Sequence, residues 1–294
     1  MSAPLMIATP GNERMAAKLG PCLAAEIGHL EFRKFPDGET YLRFATDPAG
    51  RRLSLLCTLV DPDSKILPLI FAAATARELG AIEVGLIAPY LAYMRQDRRF
   101  NPGEAVTSRL VARLLSEAFD WLVTVDPHLH RYSSLGEIYT IPTCVVHAAS
   151  SISSWIRTHV ENPIIIGPDS ESEQWVSEVA KEADAPYTVL EKVRHGDRDV
   201  KISIENSDRL PGRTPVLVDD IISSGRTMLE AARLVSREGA RPVCVAVHGV
   251  FADRSDELLE QAGARVITCN CILHRTNEID MAEALADAVR AMSR

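Results

Sequence analysis

Long apolar runs, paired cysteines and an excess of positive charge are all missing from this sequence of 294 residues. The longest apolar run, Ile66 to Ala76, is interrupted by Pro68 and closed by Arg77, well short of the roughly 20 residues that span a bilayer. No membrane-crossing helix is expected. Met1-Ser2-Ala3-Pro4 sets no basic region ahead of an apolar stretch, so a secretory signal is not expected either. The six cysteines (Cys22, Cys57, Cys144, Cys244, Cys269 and Cys271) contain no Cys-x-x-Cys pair and lie mostly in apolar, strand-like segments. They read as reduced core residues of a cytoplasmic protein. With 32 Lys and Arg against 40 Asp and Glu, the formal net charge is -8. A protein that grips nucleic acid or anionic lipid over a broad face needs concentrated positive charge, so neither partner is expected; a local basic pocket for one phosphate remains compatible. Neither Gly-x4-Gly-Lys-Ser/Thr nor Gly-x-Gly-x-x-Gly occurs, which sets aside two common phosphate-binding loops.

What is there is an ordinary globular composition, 46% hydrophobic and 24% charged. Its apolar runs alternate with stretches of helical period. The short runs read as strands at Leu5–Ala8, Leu53–Val60, Ile82–Pro89, Trp121–Asp126, Pro163–Gly167, Pro215–Asp220, Pro242–Val247 and Arg265–Cys269. Helices are expected at Glu104–Phe119, Glu171–Glu182, Thr227–Glu238, Glu257–Ala262 and Asp280–Met292, the first with a stripe of Val106, Leu110, Val111, Leu114, Leu115 and Ala118. That alternation is the mark of an α/β fold with mainly parallel sheets flanked by helices. A faint internal echo accompanies it. Leu114-Leu115-Ser116-Glu117-Ala118 before Trp121–Asp126 resembles Leu258-Leu259-Glu260-Gln261-Ala262 before Arg265–Asn270, and Arg77-Glu78-Leu79-Gly80-Ala81 resembles Arg237-Glu238-Gly239-Ala240. Both separations are near half the chain. Two similar halves are therefore expected, residues 1–145 and 146–294.

The segment Pro215 to Thr227 carries the most chemistry. An apolar strand delivers Asp219 and Asp220 at its C-terminal end, and a loop of small residues then opens a helix. Ligands of open α/β sheets bind at that end of the strands. Backbone N–H groups, the hydroxyls of Ser223, Ser224 and Thr227 and the helix N-terminus can hold a phosphate, while adjacent acids suit the hydroxyls of a sugar. A strand that ends in solvated acids and a helix cap is the plain alternative.

This loop resembles the one shared by type I phosphoribosyltransferases and ribose-phosphate pyrophosphokinases. It implies Asp219, Asp220, Ser223, Ser224, Gly225, Arg226 and Thr227 as a ribose 5-phosphate site. Pro89-Tyr90-Leu91-Ala92-Tyr93-Met94-Arg95-Gln96-Asp97 resembles a pattern of the pyrophosphokinases, not expected in the transferases. Arginines of this kind hold polyphosphate by bidentate contacts, and the resemblance assigns Arg95, Gln96 and Asp97 to ATP. The following Phe100-Asn101-Pro102-Gly103-Glu104 is most similar to the archaeal-type branch. Phe35-Pro36-Asp37-Gly38-Glu39 is turn chemistry by itself; the resemblance makes Phe35 the side chain stacked on adenine, with Asp37 and Glu39 reaching the nucleotide of a neighbouring subunit, and so implies a homo-oligomer.

Val125-Asp126-Pro127-His128-Leu129-His130 sets two imidazoles two positions apart at a strand end. Metal-dependent hydrolases also begin this way, so a zinc hydrolase competes on the residues alone. The resemblance implies instead that His128 and Asp169 bind Mg2+, with His130 structural. Lys192-Val193-Arg194 matches the family's Lys-x-Arg on a flexible catalytic loop, where Lys192 and Arg194 offset charge on the transferring group. The implied reaction moves the pyrophosphoryl group of ATP to the anomeric hydroxyl of ribose 5-phosphate. Three positions depart from the family pattern: the acidic stretch Ser170-Glu171-Ser172-Glu173, Arg226 in place of glycine, and Ser223 where many members have Asp. A non-catalytic partner subunit and a phosphoribosyltransferase are the alternatives.

Overall fold

The computed structural model describes residues 3–168, 172–195, 199–204, 210–237 and 239–293, with backbone alone at 174, 191–195, 199–204 and 237. The chain divides into two compact units. One comprises Met1–Val146, Cys271–Leu273 and Met281–Arg294, the other His147–Asn270 and His274–Asp280.

The first unit runs β1 (Leu5–Ala8), α1 (Glu13–Leu23), β2 (Glu26–Gly28), β3 (Leu30–Lys34), β4 (Thr40–Phe44), β5 (Arg52–Leu56), α2 (Asp63–Glu78), β6 (Glu83–Ala88), α3 (Thr107–Ala118), β7 (Trp121–Val125) and β8 (Thr143–Val146). Its six-stranded sheet is parallel throughout, in the order β2-β1-β5-β6-β7-β8, and β3 and β4 form a separate antiparallel hairpin. The second unit runs α4 (Ala149–His159), β9 (Pro163–Gly167), α5 (Glu173–Ala183), β10 (Tyr187–His195), β11 (Asp199–Ile204), β12 (Thr214–Ile222), α6 (Arg226–Arg237), β13 (Val243–Gly249), α7 (Ser255–Gln261), β14 (Arg265–Cys269) and β15 (Asn277–Ile279). Its sheet has the order β11-β10-β9-β12-β13-β14-β15, parallel except where β11 pairs β10. The last helix, α8 (Ala282–Met292), belongs to the first unit and packs on α1.

Without β11, the order β10-β9-β12-β13-β14-β15 repeats β2-β1-β5-β6-β7-β8 strand for strand. The sequence echoes fall at matching junctions. Leu-Leu-x-x-Ala closes α3 before β7 and α7 before β14, and Arg77 and Arg237 stand at the ends of α2 and α6, before β6 and β13. Helices on both faces bury these strands completely, which is why Val243–Val247 reads as an unbroken apolar run and Leu122–Val125 as one interrupted only by the buried Thr124.

Several elements went unread in the sequence. The run Ile66–Ala76 lies inside one helix, α2, because Pro68 sits early in it and removes a single backbone bond. Only one side of α2 is buried, by Leu69, Ala72, Ala73 and Ala76. The expected stripe on α3 also divides: Val111 and Leu115 are in the core, whereas Leu110 and Leu114 are exposed by 45% and 43%. In α4 four serines hide the period, yet Ser153 is fully buried and its hydroxyl donates to Ala149 O and Val179 O. Gly20 and Pro21 similarly obscure the end of α1. All six cysteines are free thiols, four of them buried; Cys22 is exposed on α1. Among the described residues, no helix is long and apolar enough to cross a membrane.

Candidate functional site

In the second unit, β9 pairs with β12 only as far as Leu217, while β12 continues against β13 to Ile222. The sheet therefore has a step at the C-terminal end of β12. Asp219 and Asp220 stand at that step, both half-buried. The Asp219 carboxylate accepts the Asp220 N–H at 2.9 Å. The chain then turns through Ser223, Ser224 and Gly225 into α6, whose first residue is Arg226. Arg226 and Thr227 thus occupy a first helical turn, not the loop before it. That turn presents N–H groups with no partner inside the helix, and the helix dipole favours an anion there. Ser224 and Arg226 are exposed, Ser223 and Thr227 half-buried.

One residue that holds this loop carried no sequence signal. Ser255, at the start of α7, is 1% exposed, and its hydroxyl donates to Ser223 O at 2.7 Å. Gly225 has φ +66°, and a Cβ there would lie 2.7 Å from that of Ser255. The turn needs glycine on both counts. The segment is further tied down where the N–H groups of Val250 and Phe251 both meet Ile222 O at 3.0 Å. Beside Ser255, the buried Asp256 accepts from Arg275 at 2.6 Å, and Arg275 also reaches Glu260. Burial alone would raise the Asp256 carboxyl, but the hydrogen bonds from Arg275 and the Glu257 N–H and the Arg275 charge hold it below its ordinary value. Only the folded chain brings these residues together. Replacing Ser255 by alanine should raise KM for the ligand of this loop about fivefold, the equivalent of one net hydrogen bond of ~1 kcal/mol. Steady-state kinetics checks it, and the Ser255→Thr variant should restore binding.

Lys192 and Arg194 lie on β10, not on a loop. Positions 192 and 194 pair with Ile202 and Val200 of β11, and two residues apart they share one face of the strand. Val200, Ile202 and Ile204 alternate with Lys201 and Ser203, the two-residue period of a strand. Beyond Val189, β10 has left β9 and pairs with β11 alone. Asp169, Ser170 and Glu171 lie outside the described residues, as do the side chains of Lys192 and Arg194.

The remaining residues are in the first unit. Arg95 is exposed and Gln96 half-buried in the loop after β6, which turns at Tyr93 with φ +62°. Asp97 is different. It is buried, and both its oxygens accept from Arg131 at 3.0 Å, while Tyr132 donates to Asp97 O at 3.0 Å. Its carboxylate is therefore engaged in joining the loop after β6 to the loop after β7. The adjacent turn is closed by Glu104, which accepts the Asn101 side-chain amide and the N–H groups of Phe100 and Asn101, bonds that lower its pKa. His128 is half-buried after a backbone turn at Asp126, φ +28°, with its ring edge-on to His130 at 4.0 Å. Among the described residues, no three His, Cys, Asp or Glu side chains gather as a metal cluster. Phe35, Asp37 and Glu39 form the exposed tip of the β3–β4 hairpin, closed by Phe35 N–H to Glu39 O at 2.8 Å. There Arg33 lies over the rings of Phe35 and Tyr41.

Residues 5–118 match the model for the N-terminal domain of ribose phosphate pyrophosphokinase, and residues 134–283 match that for a phosphoribosyl transferase domain. A ribose-phosphate pyrophosphokinase of Methanopyrus kandleri is 34% identical over 98% of this chain and 99% of its own. That of Saccharolobus solfataricus is also 34% identical, over 88% and 89%. The crystal structure of phosphoribosylpyrophosphate synthetase from Mycobacterium smegmatis superposes with a TM-score of 0.87, covering 99% of both chains at 24% identity, and so shares the fold.

Proposed function

The chain belongs to the ribose-phosphate pyrophosphokinase family, and from that premise we propose which of its residues transfer the pyrophosphoryl group of ATP to the anomeric hydroxyl of ribose 5-phosphate. The oxygen of that hydroxyl attacks the β-phosphorus, the bond from it to the α-phosphate oxygen breaks, and the hydroxyl proton is released. The products are 5-phosphoribosyl 1-pyrophosphate and AMP.

The observation that carries the assignment is the step at the end of β12. Asp219 and Asp220 accept hydrogen bonds from the ribose hydroxyls, and their charge keeps phosphate away from that end of the site. The 5′-phosphate sits on Ser223, Ser224, Gly225, Arg226 and Thr227, where the first turn of α6 offers its N–H groups. Glycine at 225 lets the backbone approach, and Arg226 adds a cation that the usual glycine lacks. On β10, Lys192 and Arg194 offset the charge that develops on the transferring group, the main contribution a protein can make to phosphoryl transfer.

ATP is held by Arg95 and Gln96, with Asp97 acting through Arg131 to position that loop. Phe35 stacks on adenine, and Asp37 and Glu39 bind the nucleotide's polar groups, from the hairpin of a neighbouring copy. What supports a homo-oligomer is the exposure of that tip together with Leu67 and Phe71 of α2 and Leu110 and Leu114 of α3. The free cysteines support a cytoplasmic setting.

Of the two residues that the family pattern assigns to Mg2+, the Asp169 carboxylate is the oxygen donor this ion takes beside substrate phosphates and water, whereas the His128 imidazole is not its usual ligand and rests on the family pattern alone. When bound, the ion neutralises phosphate charge and orients the polyphosphate.

Incubation of the chain alone with Mg-ATP and ribose 5-phosphate should yield AMP and 5-phosphoribosyl 1-pyrophosphate in equal amounts, followed by anion-exchange chromatography. Formation of ADP, or of no product, would exclude this function and in the second case favour a non-catalytic partner subunit.

A further inference from the structure

The first unit contains a cavity of about 310 Å³. Thr9 and Pro10, which follow β1, and Cys57, which follows β5, form its floor. The order β2-β1-β5 reverses direction between β1 and β5, so the cavity lies at a topological switch point, outside the carboxyl ends of the strands. The second unit has the corresponding reversal between β9 and β12, beside the Ser223–Thr227 loop. The two halves share a topology, and each therefore has a crevice where α/β sheets bind ligands.

The walls are largely apolar, from Phe32 of the hairpin and Pro68 and Leu69 of α2. Three cations, Arg33, Lys34 and Lys65, and the hydroxyl residues Thr40 and Ser64 complete the lining, and it contains no Asp or Glu. Lys65 is half-buried and donates to Thr58 O at 2.8 Å. Lys34 donates to Thr40 Oγ1 at 2.7 Å, and Arg33 lies 3.9 Å from the Tyr41 ring centroid. Neutral groups are the partners in each case. Among the described residues, none of the three pairs with a carboxylate. A half-buried ammonium beside an apolar cavity loses hydration, and an anion restores the balance by a charge-assisted hydrogen bond. Burial raises the Cys57 thiol above its ordinary pKa, so this side chain is a neutral part of the floor and not a nucleophile.

We propose that this cavity is a second ligand site, for a small organic anion whose body is a single ring or similar apolar group and whose charge is met by Lys65 and Lys34. The volume stands at the lower end of the range of about 300–1,000 Å³ for small-molecule sites, and an apolar lining with few polar groups is their usual character. The assignment does not depend on the roles proposed for the ribose 5-phosphate loop.

Phenyl phosphate and benzoate serve as probes, titrated calorimetrically into the full chain with ribose 5-phosphate saturating, so that the loop after β12 is occupied. One site per chain is expected for at least one probe; the preferred probe identifies phosphate or carboxylate as the anionic group. Inorganic phosphate and phenol, each with half of the required chemistry, should bind at least tenfold more weakly. Lys65→Gln should weaken the probe about tenfold, as expected for loss of a charged hydrogen bond, and Lys34→Gln should weaken it in the same direction with circular dichroism unchanged. Absence of binding at millimolar probe, unchanged affinity in Lys65→Gln, or complete displacement by ribose 5-phosphate would overturn the proposal.

Discussion

Lys192→Ala should lower kcat by about two to three orders of magnitude, the usual cost of removing one pre-positioned group from developing charge. KM for ATP and for ribose 5-phosphate should move by no more than about threefold, because an interaction made only in the transition state leaves ground-state binding intact. The expectation follows from where β10 places the residue. Past Val189 the strand is joined to β11 alone, so positions 192 and 194 stand on a two-stranded ribbon beyond the parallel sheet. Such a ribbon can add a charge where the reaction occurs without being part of either substrate pocket. Arg194→Ala should act in the same direction, and the double variant should lose less than the product of the two, since the residues act on one group. Rapid-quench measurement of AMP formation separates the chemical step from product release. A Lys192→Ala enzyme with unchanged kcat, or with its loss confined to KM, would remove the residue from the mechanism.

Gly225→Ala should raise KM for ribose 5-phosphate by about tenfold or more while the protein stays folded. Two causes add. A side chain in the left-handed region costs roughly 1–2 kcal/mol, and the new Cβ would lie 2.7 Å from that of Ser255. Relief of that contact requires the loop to move from α7, which breaks the bond from Ser255 to Ser223 O. ATP affinity, measured by equilibrium dialysis, should not change. Gly225→Asn distinguishes the causes, because Asn tolerates the left-handed conformation but still carries a Cβ. Recovery in Gly225→Asn would identify backbone conformation as the dominant cause, and equal loss in both would identify the contact. Wild-type KM in Gly225→Ala would show that the loop does not need its observed shape to bind ligand.

Much of this protein is legible in its sequence because local patterns sufficed. The buried strands Leu5–Ala8, Pro163–Gly167 and Arg265–Cys269 are short apolar runs bounded by turn residues, and they form at those positions. The loop from Asp219 to Thr227 is contiguous, so its order along the chain already brings the two acids, the hydroxyls and the glycine together. What failed did so for specific causes. Leu110 and Leu114 belong to the same helical period as Val111 and Leu115, and periodicity alone does not tell a buried stripe from one left exposed. The serines of α4 read as polar until Ser153 finds two carbonyls, one on its own helix and one on α5. The family resemblance puts Lys192 and Arg194 on a flexible loop, and it is pairing with β11 that makes them strand residues.

The amino-acid sequence by itself determined the α/β class, the repetition of two halves and the contiguity of Asp219 to Thr227, the segment proposed to bind phosphate and sugar, since each depends on residues close together in the chain. Only the tertiary structure decided that Asp97 is bound to Arg131, that Ser255 holds Ser223 from 32 residues away, and that α8 joins the first unit. These pairings depend on which surfaces the packed sheets bring into contact, and a side chain's own neighbours along the chain carry no record of that.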